Sequence, residues 1–184
     1  LKSKDFLTEN RFINYLIATK MYKEMYRSKE GIISILLAVI TTGYYCYLSS
    51  VISADSLTEA LNSLLSYVLG GGFGLLGFLV GGLGILIGSI SDEMIEVIDN
   101  GGMFQSLLGI VFRFYFDGAI LFGVITCCIV DLSLLLLPGS FSLVWFCIAG
   151  WITAYCFWYA LMLSVMLLGT SIRLMVLRHS ILHR

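Results

Sequence analysis

Asp92, Glu93, Glu96 and Asp99 form the densest group of carboxylates in the chain, and positions 92, 96 and 99 share one face of a helix. Carboxylates with no base or metal ligand beside them attract cations rather than break bonds. In one subunit they make a solvated loop. In a ring of identical subunits each is multiplied by the copy number, which builds an acidic mouth. Asp131 is a different case, because it lies within an apolar run with no basic residue at comparable depth. An ionised carboxylate in hydrocarbon costs about 2.5–3.5 kcal/mol on insertion scales, so such an acid must be protonated, bonded to Ser133 or a neighbouring span, or facing water. Arg113 and Asp117, four residues apart, are placed to pair on one helical face.

Bond-making chemistry finds few candidates. There is no G-x-S-x-G, no H-E-x-x-H and no G-x-x-x-x-G-K-[ST], and both histidines, His179 and His183, fall in the last six residues. These absences argue against an enzyme, and nothing points to a cofactor or a metal. The five cysteines, 46, 127, 128, 147 and 156, all lie in apolar runs without a C-x-x-C pair, and read as small apolar packers.

Glycine spacing is the most specific pattern. Gly70, Gly74, Gly77, Gly81, Gly84 and Gly88 alternate steps of four and three, which makes three G-x-x-x-G units repeated every seven residues. On a helix they form a continuous stripe without side chains, along which another backbone approaches closely. The stripe either packs against another span of the same subunit or forms a seam between identical helices around an axis.

The elements that must position these residues are membrane spans. The chain has 184 residues, 59% hydrophobic and 12% charged, with a mean hydropathy of +0.95. That leaves too few polar groups to cover a soluble core. The expected fold is an all-α integral membrane protein of about four transmembrane helices, preceded by an N-terminal amphipathic helix on the cytoplasmic side. Residues 1–30 form this leader, with Phe12, Tyr15, Leu16, Tyr22 and Tyr26 near one face and Lys20, Lys23 and Arg27 on another. Residues 31–184 form the bundle, with spans at about 31–52, 61–90, 117–137 and 141–172, each long enough for a hydrocarbon core of about 30 Å. Residues 103–116 read as an interfacial helix, or as the start of one continuous tilted helix with the third span. Residues 53–60 and Pro138–Gly139–Ser140 read as outer connections. No cleavable signal is apparent.

Ten of the eleven basic residues sit at the two ends, and the outer connections have none, so both termini are expected in the cytoplasm. Lys20, Lys23, Arg27, Arg173 and Arg178 then make a basic collar for anionic lipid headgroups, for an anionic nucleotide or oligonucleotide, or for an acidic partner protein.

A basic amphipathic leader, Gly31–Ile52, the glycine-rich Leu61–Ile90, and two further spans with a basic tail resemble in layout the small four-span membrane proteins of bacterial anti-phage systems, of the Hailong channel-effector and Kiwa membrane-subunit types. The resemblance implies a homo-oligomer in the bacterial inner membrane and, for the channel type, a tetramer with an anionic cytoplasmic ligand. Residues and resemblance together lead to a homo-oligomeric ion channel gated by a cytoplasmic signal. The competing reading is a non-conducting sensor or scaffold that recruits a soluble partner.

Overall fold

The computed structural model describes residues 23–88, 104–136 and 143–182, and within these ranges only the backbone of residues 24, 86, 104–108, 143–146 and 173–182. Five helices follow in order: α1 (Glu24–Arg27), α2 (Lys29–Val51), α3 (Ala54–Gly88), α4 (Phe104–Leu135) and α5 (Leu143–Leu182). No strand occurs among the described residues. Four of the helices are long and apolar enough to cross a membrane, over Lys29–Val51, Ala54–Ile85, Gly109–Leu135 and Cys147–Ile172.

Local chemistry sets the helix ends. Ser28 is extended, and its hydroxyl accepts a bond from the Gly31 amide at 2.9 Å, capping α2. The leader is therefore interrupted at Ser28, before the apolar run begins. In its described part Tyr26 is 56% exposed, while Met25 packs against Phe116, Tyr159 and Leu163. The Tyr155 hydroxyl donates to the Met25 carbonyl at 2.8 Å, so α1 is held against α4 and α5.

Two sequence expectations shift in extent. Residues 54–60, expected in an outer connection, are the first two turns of α3, and only Ile52 and Ser53 join α2 to α3. The Ser53 hydroxyl lies 3.4 Å from the Ser56 amide, the Ser53 carbonyl accepts from the Leu57 amide, and Asp55 in the first turn complements the helix dipole. The third span runs unbroken from Phe104 to Leu135, which is the continuous alternative.

In space the order is α2, α5, α4, α3, with α4 and α5 as the central pair. Small residues bring α2 onto α5, since Gly31, Ser34 and Ala38 are its buried positions. The inward face of α4 is Phe114, Asp117, Leu121, Val124, Cys128 and Asp131, alternating steps of three and four. The consecutive helices α2 and α3 scarcely touch, which leaves a cleft between them backed by α5.

Candidate functional site

The six glycines of the α3 repeat fall on one roughly 80°-wide stripe at 100° per residue. Every one of them is exposed, and a Cβ added at any of them would meet nothing within 4 Å among the described residues. The opposite side of α3 carries its buried residues, Leu61, Leu65, Gly72 and Leu79. The packing of α3 inside the subunit falls instead to two glycines outside the repeat. A Cβ on Gly72 would lie 3.3 Å from Ile125 Cγ1, and one on Gly82 would lie 3.4 Å from Phe114 Cε1. Among the described residues, the stripe therefore packs against no other span of the same chain.

Bulky side chains border the stripe. Phe73, Val80 and Ile87 stand at intervals of seven on one flank, and Phe78 and Ile85 stand on the other, all exposed. Toward the α2–α3 turn the same face continues as Ser66, Ser63 and Glu59, which are also exposed. One side of α3 is thus bare at one end and polar at the other.

Two polar clasps join α4 to α5. Thr153 donates to Asp131 Oδ2 at 2.7 Å, and Ser164 donates to Asp117 Oδ2 at 2.8 Å. Asp131 is 5% exposed and bonded to a neighbouring span, while Ser133 turns to the Ile129 carbonyl of its own helix. Asp117 is fully buried, and its Oδ1 has no hydrogen-bond partner. Its carboxyl group faces Ser164 rather than joining Arg113 in the expected pair, because position 117 lies on the inward face of α4.

Asp131 and Thr153 also reach the wall of the cleft, a space of about 180 Å³ lined by Thr41, Thr42, Tyr45 and Ser49 of α2, leucines of α3, and Phe157 and Trp158 of α5. The Thr42 hydroxyl there is buried without a partner, whereas Thr41 accepts from Trp158 Nε1 at 3.1 Å and donates to the Leu37 carbonyl. Sequence reasoning singled out Asp131 but missed Thr153, Ser164 and the cleft. Replacing Asp131 by Leu is expected to lower stability by about 0.5–1.5 kcal/mol by removing the bond from Thr153 that joins α4 to α5, with a smaller loss for Asp131→Asn, which keeps an acceptor. Detergent unfolding followed by circular dichroism measures both, and equal losses would mean that the bond is idle.

Lys23 immediately precedes α1 and is half-buried, and Arg27 ends α1 and is exposed. Lys20, Asp92, Glu93, Glu96 and Asp99 lie outside the described residues, as do the side chains of Arg173 and Arg178 on α5. Most of the expected basic collar and the whole acidic group thus fall outside the described residues. No metal-binding cluster of His, Cys, Asp and Glu occurs among the described residues. No protein family, curated protein or solved structure matches the chain.

Proposed function

We propose that the chain is a multi-pass membrane protein whose copies assemble around an axis into an ion-conducting pore, with the α3 glycine stripe as the seam between copies. The outward aspect of that stripe carries the reading. Glycine lowers helix propensity by about 1 kcal/mol relative to alanine in an exposed helix, and the stripe gains no contact with the described residues of its own subunit in return. A second copy of the same helix supplies the contact, since grooves bordered by bulky rows are self-complementary. The exposed Ser66, Ser63 and Glu59 on the same face favour a water-filled axis over a dry packing seam.

Membrane insertion is supported by the four apolar helices and by large apolar side chains such as Leu36, Ile40, Val80, Phe122 and Val165, each more than half exposed on the bundle surface. Orientation follows the basic residues, with both termini cytoplasmic. Asp92, Glu93, Glu96 and Asp99, which follow α3 in the chain, then ring the inner mouth, and the basic ends receive the gating signal, an anionic ligand or an acidic partner. A defence role in a bacterial inner membrane follows from the resemblance in layout.

Imaging of particles in lipid nanodiscs tests the ring. Rotational symmetry with α3 nearest the axis, together with current in planar bilayers, is the expected result. Single-chain particles, or symmetric particles with α3 at the lipid rim, would end the pore reading. In a conducting preparation, neutralising the four carboxylates to Asn and Gln is expected to move the reversal potential in a salt gradient away from cation preference, and an unmoved potential removes them from the mouth.

A further inference from the structure

Cys46 of α2 and Cys147 of α5 are separated by 101 positions in sequence, yet their sulfurs lie 3.1 Å apart. A disulfide requires about 2.05 Å between sulfurs, so the pair is roughly 1 Å from bonding distance, within reach of small changes in two side-chain torsions. The helices that carry them are packed together, so no backbone need travel. Cys46 is exposed and Cys147 half-buried, as Cys127 and Cys156 are, while Cys128 is fully buried; of the five, Cys46 and Cys147 are the ones on the wall of the α2–α3 cleft.

We propose that Cys46 and Cys147 are a site of oxidative modification, closing to a disulfide within one subunit that staples α2 to α5 at the rim of the cleft. The oxidant is a low-molecular-weight disulfide. The thiolate of one cysteine attacks a sulfur of that reagent, releases one small thiol and becomes a mixed disulfide. The thiolate of the second cysteine then attacks the protein sulfur of the mixed disulfide, forms the Cys46–Cys147 bond and releases the second small thiol. Two protein thiols lose two electrons and two protons, and one small disulfide is reduced to two thiols. The bond fixes α2 on α5 and leaves α3, on the far side of the cleft, free of the staple. Both cysteines lie toward the α2–α3 turn, and the proposed orientation puts that end in the oxidising envelope space. Only this compartment rests on the proposed function; the pairing does not.

The test uses the full chain purified in detergent, where neither pore formation nor orientation matters. After treatment with glutathione disulfide, remaining thiols are blocked with N-ethylmaleimide and the protein is digested without reductant for mass spectrometry. The expected result is a roughly tenfold loss of maleimide labelling at Cys46 and Cys147 together, a peptide pair linked through them, recovery with phosphine reductant, and migration as a single chain on a non-reducing gel. In Cys46→Ser or Cys147→Ser the remaining cysteine should hold glutathione instead. Unchanged labelling, glutathione retained on both cysteines of the unaltered chain, or a covalent dimer would each overturn the proposal.

Discussion

Replacing Gly77 and Gly81 together by leucine is expected to release single subunits from the assembly while leaving each subunit folded. An added Cβ at either position meets no atom of the described residues within 4 Å, so two isobutyl groups have room beside them in the subunit. Between two copies of α3 the same groups occupy the space in which the helix backbones would touch, and association should weaken by at least roughly tenfold, about 1.4 kcal/mol. Gly72→Leu and Gly82→Leu are the contrasting pair. There the added atoms push into Ile125 and Phe114, whose neighbours form the core of the bundle, and overpacking of this kind costs about 1–3 kcal/mol of subunit stability. Light scattering in detergent reports the mass, and thermal unfolding reports the fold. A Gly77→Leu/Gly81→Leu protein of unchanged mass would dismiss the stripe as an interface. Loss of helix in that variant would dismiss it as an outward face.

The same four-and-three periodicity explains what the sequence disclosed about the site. Spacing alone separates Gly70, Gly74, Gly77, Gly81, Gly84 and Gly88 from Gly72 and Gly82, because the latter two fall outside the repeat. Spacing cannot say which way the stripe faces, since direction depends on the packing of α3 against α4. Long uncharged runs disclosed four apolar helices, and an apolar run that long is independent of tertiary context. Helix ends were less legible. Asp55 and Glu59 look like loop residues, yet a capped first turn accepts acids well.

Pairings between helices were out of reach. Asp117 with Ser164, Asp131 with Thr153 and Cys46 with Cys147 all require knowing that α5 lies between α2 and α4. One signal was present. The series 114, 117, 121, 124, 128, 131 places both acids on a face with Leu121, Val124 and Cys128, which marks that face as inward and the acids as partnered across it.

Asp117→Ala is expected to make the subunit more stable, by about 1.5–2.5 kcal/mol. A charged acid near the centre of an apolar helix costs about 2.5–3.5 kcal/mol on insertion scales, and Asp117 is fully buried with one of its two oxygens unbonded. Against that stand the lost bond from Ser164, averaging about 0.6 kcal/mol for such pairs in membrane proteins, and a small void, about 0.5 kcal/mol. Ser164 need not remain unpaired, because Ser34, Thr41, Thr126 and Ser171 each donate to the carbonyl four residues earlier in their own helices, and the same option is open to it. Asp131 differs, since it reaches the cleft wall, where its carboxyl group is less costly to bury and the bond from Thr153 outweighs that cost. Denaturation in mixed detergent micelles measures the change for Asp117→Ala. A less stable variant would show that the carboxyl group holds α4 to α5 more strongly than its single bond indicates. A more stable variant with altered current in bilayers would mean that a costly buried acid is kept for conduction or gating, and would place the moving part of the pore at the α4–α5 contact.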